Sequence, residues 1–338
     1  MSYFRQRRTL IYSGLGAATV VGLLMIALFW RTGGTQRAKA CLPYHVRVKQ
    51  AALAASRGSN PATRVPDLSH IVVIMMENKE CSQVVGSKDA PYLNRVGREY
   101  AVLRDLYATT HPSFPNYLAL TGGSTFGATR TCATCRYRQR NLVDQLEAAH
   151  LSWRAYMEGM PSACYPASRA GNYAKRHNPF LFYTDIVDNP RRCANVVPLT
   201  RLWRDIDTGA LPRFSWITPN LCDDMHDCDV AAGDAFLART LPRLLSAVGP
   251  RGAIIITWDE GTTKRSCCGD RARGGNIPTF VVGGAVRPHA EPISVFDSYS
   301  ILRTIEDAWR LPHLREAACR CTPTIGGIWR IQGLAAGP

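Results

Sequence analysis

Several short apolar runs of this chain end on acids. Ile71–Met76 runs into Glu77 and Asn78. Ala253–Thr257 is followed by Trp258, Asp259, Glu260 and Gly261, and Phe214–Thr218 leads to a loop holding Asp223, Asp224, His226 and Asp227. Runs of this length fit buried strands, although periodicity alone also admits a helix. Open α/β sheets bind ligands beyond the carboxyl ends of their strands, so Glu77, Asn78, Asp259 and Glu260 are expected on one rim. Carboxylates brought together repel unless a cation or a proton lies between them. A set of hard oxygen donors therefore predicts a divalent metal ion there.

A nucleophile candidate lies between the first two runs. The polar loop Thr109–Pro115 carries two prolines and leads into apolar Tyr117–Leu120, a helix that Asn116 or Ser113 would cap. Ser113 then sits where helix N-terminal amides stabilise an anion. Its hydroxyl is a weak nucleophile unless activated, and a metal ion is one activator. No G-x-S-x-G elbow surrounds it, which argues against a serine esterase of the α/β-hydrolase kind. The bland alternative is a cap or turn residue. His226, with acids on both sides, can ligate metal, bind phosphate or protonate a leaving group. His111 and His177 are further candidates for phosphate, His177 because it lies in the cationic stretch Lys175–Phe180. Each can instead be a structural histidine.

The elements that must position these groups alternate. Strands are expected at 71–76, 101–107, 151–157, 214–218, 253–257 and 278–282. Helices are expected at 91–100, starting on a proline, and at 116–120, 141–150, 230–248 and 298–311. Residues 159–200 read as an irregular insertion able to carry site residues. This order predicts an α/β fold, a mostly parallel sheet with helices on both faces. No internal repeat or low-complexity tract interrupts it.

The 338 residues carry a net charge of +15 and are 46% hydrophobic, as for a globular chain with a real core. Residues 1–40 hold six cations and no acid, leaving +9 on the remainder. A basic surface favours anionic partners such as phosphate esters, lipid headgroups or nucleic acid, the bland alternative being solubility in a basic, arginine-rich proteome. Basic residues precede the uncharged stretch Leu10–Trp30, which is long enough for a membrane helix, with the remainder exported. Ala38–Ala40 also resembles a signal-peptide cleavage site. Residues 1–40 are thus a signal anchor or signal peptide, 41–69 a stalk and 70–338 the catalytic domain. The protein is expected on the outer side of the cell membrane, or secreted if the segment is cleaved. Twelve cysteines in an exported chain favour disulfides over zinc, with connectivity left open.

The stretches ENK at Glu77, HPSFPNYLALTGG from His111, KRHNPF from Lys175, TPNLCDDMHDC from Thr218, TWDEG from Thr257 and YSILRTIEDA from Tyr299 resemble the bacterial phosphoesterase family. That family holds acid phosphatases and phosphatidylcholine-type phospholipases C within the alkaline-phosphatase-like superfamily. The resemblance implies that fold, with Ser113 as the phosphorylated nucleophile and Glu77, Asn78, Asp259 and Glu260 at the metal. It also implies that His226 and Asp227 serve the distal side of the phosphate. One departure is Ser298, where relatives usually carry a histidine; His289 is a candidate substitute. The expected activity is metal-dependent phosphomonoester hydrolysis through a phosphoserine. The alternatives are a phospholipase C acting on lipid headgroups and a non-catalytic phosphate- or lipid-binding surface protein. Nucleic acid is not an expected partner.

Overall fold

The computed structural model describes residues 65–330 apart from Asp270. The hydrophobic stretch 10–30 and most of the stalk lie outside these residues. Among the described residues, no helix is long and apolar enough to cross a membrane.

The central sheet has seven strands: β1 (Ile71–Met76), β2 (Ala101–Val102), β3 (Trp153–Met157), β4 (Val196–Pro198), β5 (Phe214–Thr218), β6 (Ala253–Trp258) and β7 (Thr279–Val282). Their order is β2-β7-β6-β1-β5-β3-β4. The five from β6 to β4 run parallel, while β7 is antiparallel to β6 and to β2. Every residue of β1, β5 and β6 is buried. Successive strand residues face opposite sides, so both faces are covered. Helix α1 (Pro91–Glu99) packs against α5 (Val230–Val248), with α3 (Leu142–Ala148) and α4 (Thr200–Asp207) lying between them in the chain. Helix α2 (Ser113–Gly122) packs against α6 (Ser298–Ala308).

Register sets the rim. Ile71 pairs with both Phe214 and Ala253, Met76 with Trp258, and Met157 with Thr218. The residues after Met76, Met157, Thr218 and Trp258 therefore leave the sheet together, as the sequence predicts.

Three local expectations change. The run 101–107 breaks into β2 and Leu106–Tyr107, which joins a separate three-stranded sheet with Asn276–Ile277 and Phe296–Asp297. The insertion 159–200 supplies β4, the sheet's edge. Helix α2 starts at Ser113, with Pro112 in the cap position, so neither Ser113 nor Asn116 caps it. The helix ends on left-handed Gly123, where a Cβ would stand 2.4 Å from the Leu314 carbonyl oxygen, so only glycine fits the turn.

The cysteines form disulfides. Cys132–Cys135, Cys164–Cys193, Cys222–Cys228, Cys267–Cys268 and Cys319–Cys321 are bonded pairs among the described residues. Cys132 and Cys135, three residues apart, close a short disulfide loop.

Glu306 of α6 is fully buried and accepts the Leu314 N–H at 2.9 Å. Burial raises its pKa to about 8. A carboxyl raised in the fold stabilises fully below its unfolded pKa, and that contribution is lost as pH rises through the folded value. Glu306→Gln should abolish this loss. Relative to wild type, the variant is expected to gain about 2–4 kcal/mol of unfolding free energy between pH 5 and pH 8.5. Urea melts at the two pH values measure it; parallel slopes for the two proteins would refute a buried neutral carboxyl.

Candidate active site at the sheet rim

The carboxyl ends of β1 and β6 are laced together. The Asp259 N–H donates to the Met76 carbonyl at 3.0 Å, and the Asn78 N–H to Asp259 Oδ1 at 3.0 Å. Asn78 turns the chain with φ +52°, a left-handed conformation that asparagine tolerates. Glu77, Asp259 and Glu260 are all buried.

Helix α2 brings Ser113 onto this rim. The loop before it is fixed by Asn116, whose Oδ1 accepts the Thr110 N–H at 2.9 Å while its Nδ2 donates to the Thr110 carbonyl at 2.8 Å. Ser113 Oγ lies 3.1 Å from Glu77 Oε2 and 2.9 Å from Glu260 Oε1. One turn later, Tyr117 donates its hydroxyl to Glu77 Oε1. Residues four apart share a helix face, so Ser113 and Tyr117 grip the same carboxylate. His111 Nδ1 meets Glu260 Oε2, and its Nε2 faces the Thr263 carbonyl at 2.9 Å.

The loop after β5 closes the other side, across the Cys222–Cys228 disulfide. The Glu77 N–H donates to the Asp224 carbonyl at 2.8 Å, and Lys79 Nζ to the Met225 carbonyl at 2.6 Å. His177, 2% exposed, sets Nδ1 3.5 Å from Glu77 Oε1 and 3.4 Å from Asp224 Oδ2. It stacks on Tyr117 with 5.6 Å between ring centroids. His226 Nδ1 meets Asp227 Oδ1 at 2.6 Å, and its Nε2 lies 3.3 Å from an Arg176 guanidinium nitrogen.

The electrostatics are those of excess buried negative charge. Burial, then Asp259 and Asp224, push the Glu77 carboxyl well up. Burial and then Glu260 raise Asp259 to about 7. Burial chiefly raises Asp224 to about 8. Burial also holds His177 neutral, with Arg176 and His226 adding to the depression.

These residues fit a divalent cation. Ser113 has one hydroxyl proton but two carboxylate oxygens in reach, so one contact lacks a hydrogen. Asp259 Oδ2 is buried with no hydrogen-bond partner. A cation among Glu77, Asp259 and Glu260 would relieve both. A second donor set overlaps the first: Glu77, His177 and His226 offer ligand atoms within 4.8 Å of one another. Arg176 stands at His226 Nε2, however, and a guanidinium beside a ligand nitrogen repels a metal. That side suits an anion better.

Of the sequence candidates, the structure gathers Glu77, Asn78, Ser113, Asp259, Glu260 and His111 around one point. His177, His226 and Asp227 lie on its Asp224 side. Asp224, Tyr117 and Lys79 belong to the same cluster and were not singled out. The i, i+4 spacing from Ser113 was the available signal for Tyr117, and the acidic loop after β5 for Asp224. Ser298 is the first residue of α6, with its hydroxyl buried and unpartnered. His289 is exposed, next to Ala290, which bonds Val102 on the outer strand β2. Among the described residues it makes no hydrogen bond or ion pair with the carboxylates.

A mixed α/β sheet with acids, a serine and histidines at its carboxyl rim suits hydrolysis of an anionic ester. The fold is similar to the crystal structure of a protein in the alkaline phosphatase superfamily from Vibrio parahaemolyticus. The TM-score is 0.50 at 13% identity, covering 77% of this chain and 72% of that one. Residues 86–312 match the phosphoesterase family, and the chain belongs to it. It is similar to a phosphatidylinositol-3-phosphatase of Mycobacterium tuberculosis, 32% identical over 272 residues, which are 79% of this chain and 85% of that protein. It is also similar to a phosphate-repressible acid phosphatase of Penicillium chrysogenum, 28% identical over 282 residues, covering 80% of this chain and 66% of that one. The chain is a phosphate-ester hydrolase.

Proposed function

We propose that the chain is an exported, metal-dependent phosphomonoesterase of the acid phosphatase type. One observation carries this reading: Ser113 Oγ sits at the start of a ten-residue helix, between oxygens of Glu77 and Glu260. A divalent ion held by Glu77, Asn78, Asp259 and Glu260 would lower the hydroxyl pKa and neutralise charge on the phosphoryl oxygens.

The chain's own groups do the rest. The Ser113 proton leaves along its hydrogen bond to Glu260 as Oγ forms the new bond to phosphorus. The first amides of α2 favour the anionic phosphoryl group. Arg176 and His226 take its oxygens on the far side of Glu77. The ester bond breaks, and the leaving oxygen receives a proton from His226, which Asp227 orients. Water then attacks the phosphoserine and gives a proton to His226 as the bond from phosphorus to Ser113 Oγ breaks; Glu260 returns its proton to the hydroxyl, and phosphate leaves. His111 braces Glu260, and neutral His177 separates Glu77 from Asp224.

Likeness to a phosphatidylinositol-3-phosphatase favours a phosphorylated lipid headgroup as substrate over a simple alkyl phosphate. The disulfides suit an oxidising compartment beyond the cytoplasm. Residues 1–40 would be the anchor or signal peptide, 41–69 the stalk and 70–338 the catalytic unit.

The test is p-nitrophenyl phosphate hydrolysis by residues 41–338 purified from an oxidising compartment. EDTA is expected to stop it and added divalent ions to restore it. Undiminished turnover in EDTA would remove the metal. Turnover of p-nitrophenyl phosphorylcholine alone would make the protein a diesterase of the phospholipase C type.

A further inference from the structure

The segment from Gly261 to Gly275 leaves β6 directly after Glu260 and is tied to the site along its root. The Gly261 N–H donates to the Gly274 carbonyl at 2.6 Å, the Gly274 N–H to the Ala108 carbonyl at 2.9 Å, and the Arg273 N–H to the Thr109 carbonyl at 2.9 Å. Glu80, 3% exposed, accepts the Thr263 N–H at 3.0 Å and the Thr263 hydroxyl at 2.7 Å. The Thr263 carbonyl in turn faces His111. A Cβ would lie 2.3 Å from Glu80 Oε1 at Gly261 and 2.5 Å from it at Gly275. Both glycines are there to admit that carboxylate.

Lys264 and Arg265 follow Thr263 directly. The Arg265 N–H donates to Thr263 Oγ1 at 3.2 Å, and its carbonyl accepts the Gly275 N–H at 3.1 Å. The backbone carrying the two cations is thus held to the group that holds His111, which holds Glu260. Both side chains are exposed. Among the described residues, no carboxylate forms an ion pair with either. Solvated cations usually sit on mobile surface; these two sit on a braced loop, directly after the residue whose carbonyl faces His111.

We propose that Lys264 and Arg265 form a subsite for a second phosphate group of the substrate, a few bonds from the phosphomonoester that Ser113 attacks. This rests on the Ser113-centred reading above. Ammonium and guanidinium groups bind phosphate oxygens through charge-assisted hydrogen bonds. A fixed backbone lowers the ordering cost of doing so. The second phosphate can be a lipid's phosphodiester or a second monoester on a soluble compound.

The experiment compares kcat/KM of wild type and K264A/R265A on three substrates. These are p-nitrophenyl phosphate, soluble inositol 1,3-bisphosphate and dioctanoyl phosphatidylinositol 3-phosphate. The variant is expected to lose about thirtyfold more on the two-phosphate substrates than on p-nitrophenyl phosphate, mostly through KM. A selective loss on the lipid alone also supports the subsite and assigns it to a headgroup phosphodiester. Selective loss on the bisphosphate alone supports it and assigns a free phosphate. Equal losses on all three substrates would overturn it, as would none on either two-phosphate substrate. Calorimetric titration of inositol 1,3-bisphosphate into S113A and S113A/K264A/R265A proteins gives a reading without turnover. Equal affinities would also overturn the subsite. Failure of wild type to hydrolyse any of the three would instead strike the reading of Ser113.

Discussion

Replacing Ser113 by alanine is expected to lower kcat on p-nitrophenyl phosphate by roughly 10⁴- to 10⁶-fold, the scale seen when a covalent nucleophile is removed. The expectation follows from placement. Ser113 Oγ is the hydroxyl lying between Glu77 and Glu260, at the helix end where amides favour an anion. Tyr117 donates to the same glutamate, but it is buried, and burial followed by the Glu77 charge pushes its hydroxyl pKa well up. It cannot stand in as a nucleophile at neutral pH. The fold should survive, because the side chain contributes one net hydrogen bond worth about 1 kcal/mol. For a domain of this size, that moves the melting midpoint by about 2–4 °C. Stopped-flow kinetics, circular dichroism melts and mass spectrometry of acid-quenched wild type check the three parts. Wild-type-like turnover in the alanine variant, or a phosphoryl group found on another residue, would remove Ser113 from the reaction.

Much of this site was legible because its residues follow strands. An apolar run ending on acids shows where a parallel sheet presents charge, and β1, β5 and β6 obey that reading within a residue. What escaped was set by partners distant in sequence. The antiparallel sense of β7 depends on its return beside β6, which a four-residue apolar run does not encode. The start of α2 at Ser113 depends on Asn116 bonding backward to Thr110 rather than serving as a cap. Asp224 read as one acid among several in its loop. Its backbone bond to Glu77 and its contact with His177 single it out. Glu80 carries no signal in sequence, because the groups that hold and crowd it, Thr263, Gly261 and Gly275, lie some 180 residues further on.

Glu77→Gln should separate stability from function. Glu77 is fully buried, and Asp259 and Asp224 both oppose its charge. Glutamine keeps the shape, and its carbonyl oxygen can still accept from Tyr117. It removes a charge that Asp259 and Asp224 both oppose. In EDTA at pH 8, the variant is therefore expected to melt higher than wild type, since folding no longer has to bury or protonate a carboxylate at this position. With divalent ion present, the order should reverse. With the proposed metal site, wild type would gain stability by binding the ion in the folded state only, and the variant would have lost a charged donor. Activity should fall about 10³-fold, consistent with the several kcal/mol of charge stabilisation that a divalent ion supplies. Strained, charge-crowded sites commonly exchange stability for function in this way. Melting both proteins with EDTA and with manganese tests the argument. A variant less stable than wild type in EDTA would mean that Glu77 is a structural anchor for Tyr117 and His177, and not a ligand waiting for its ion.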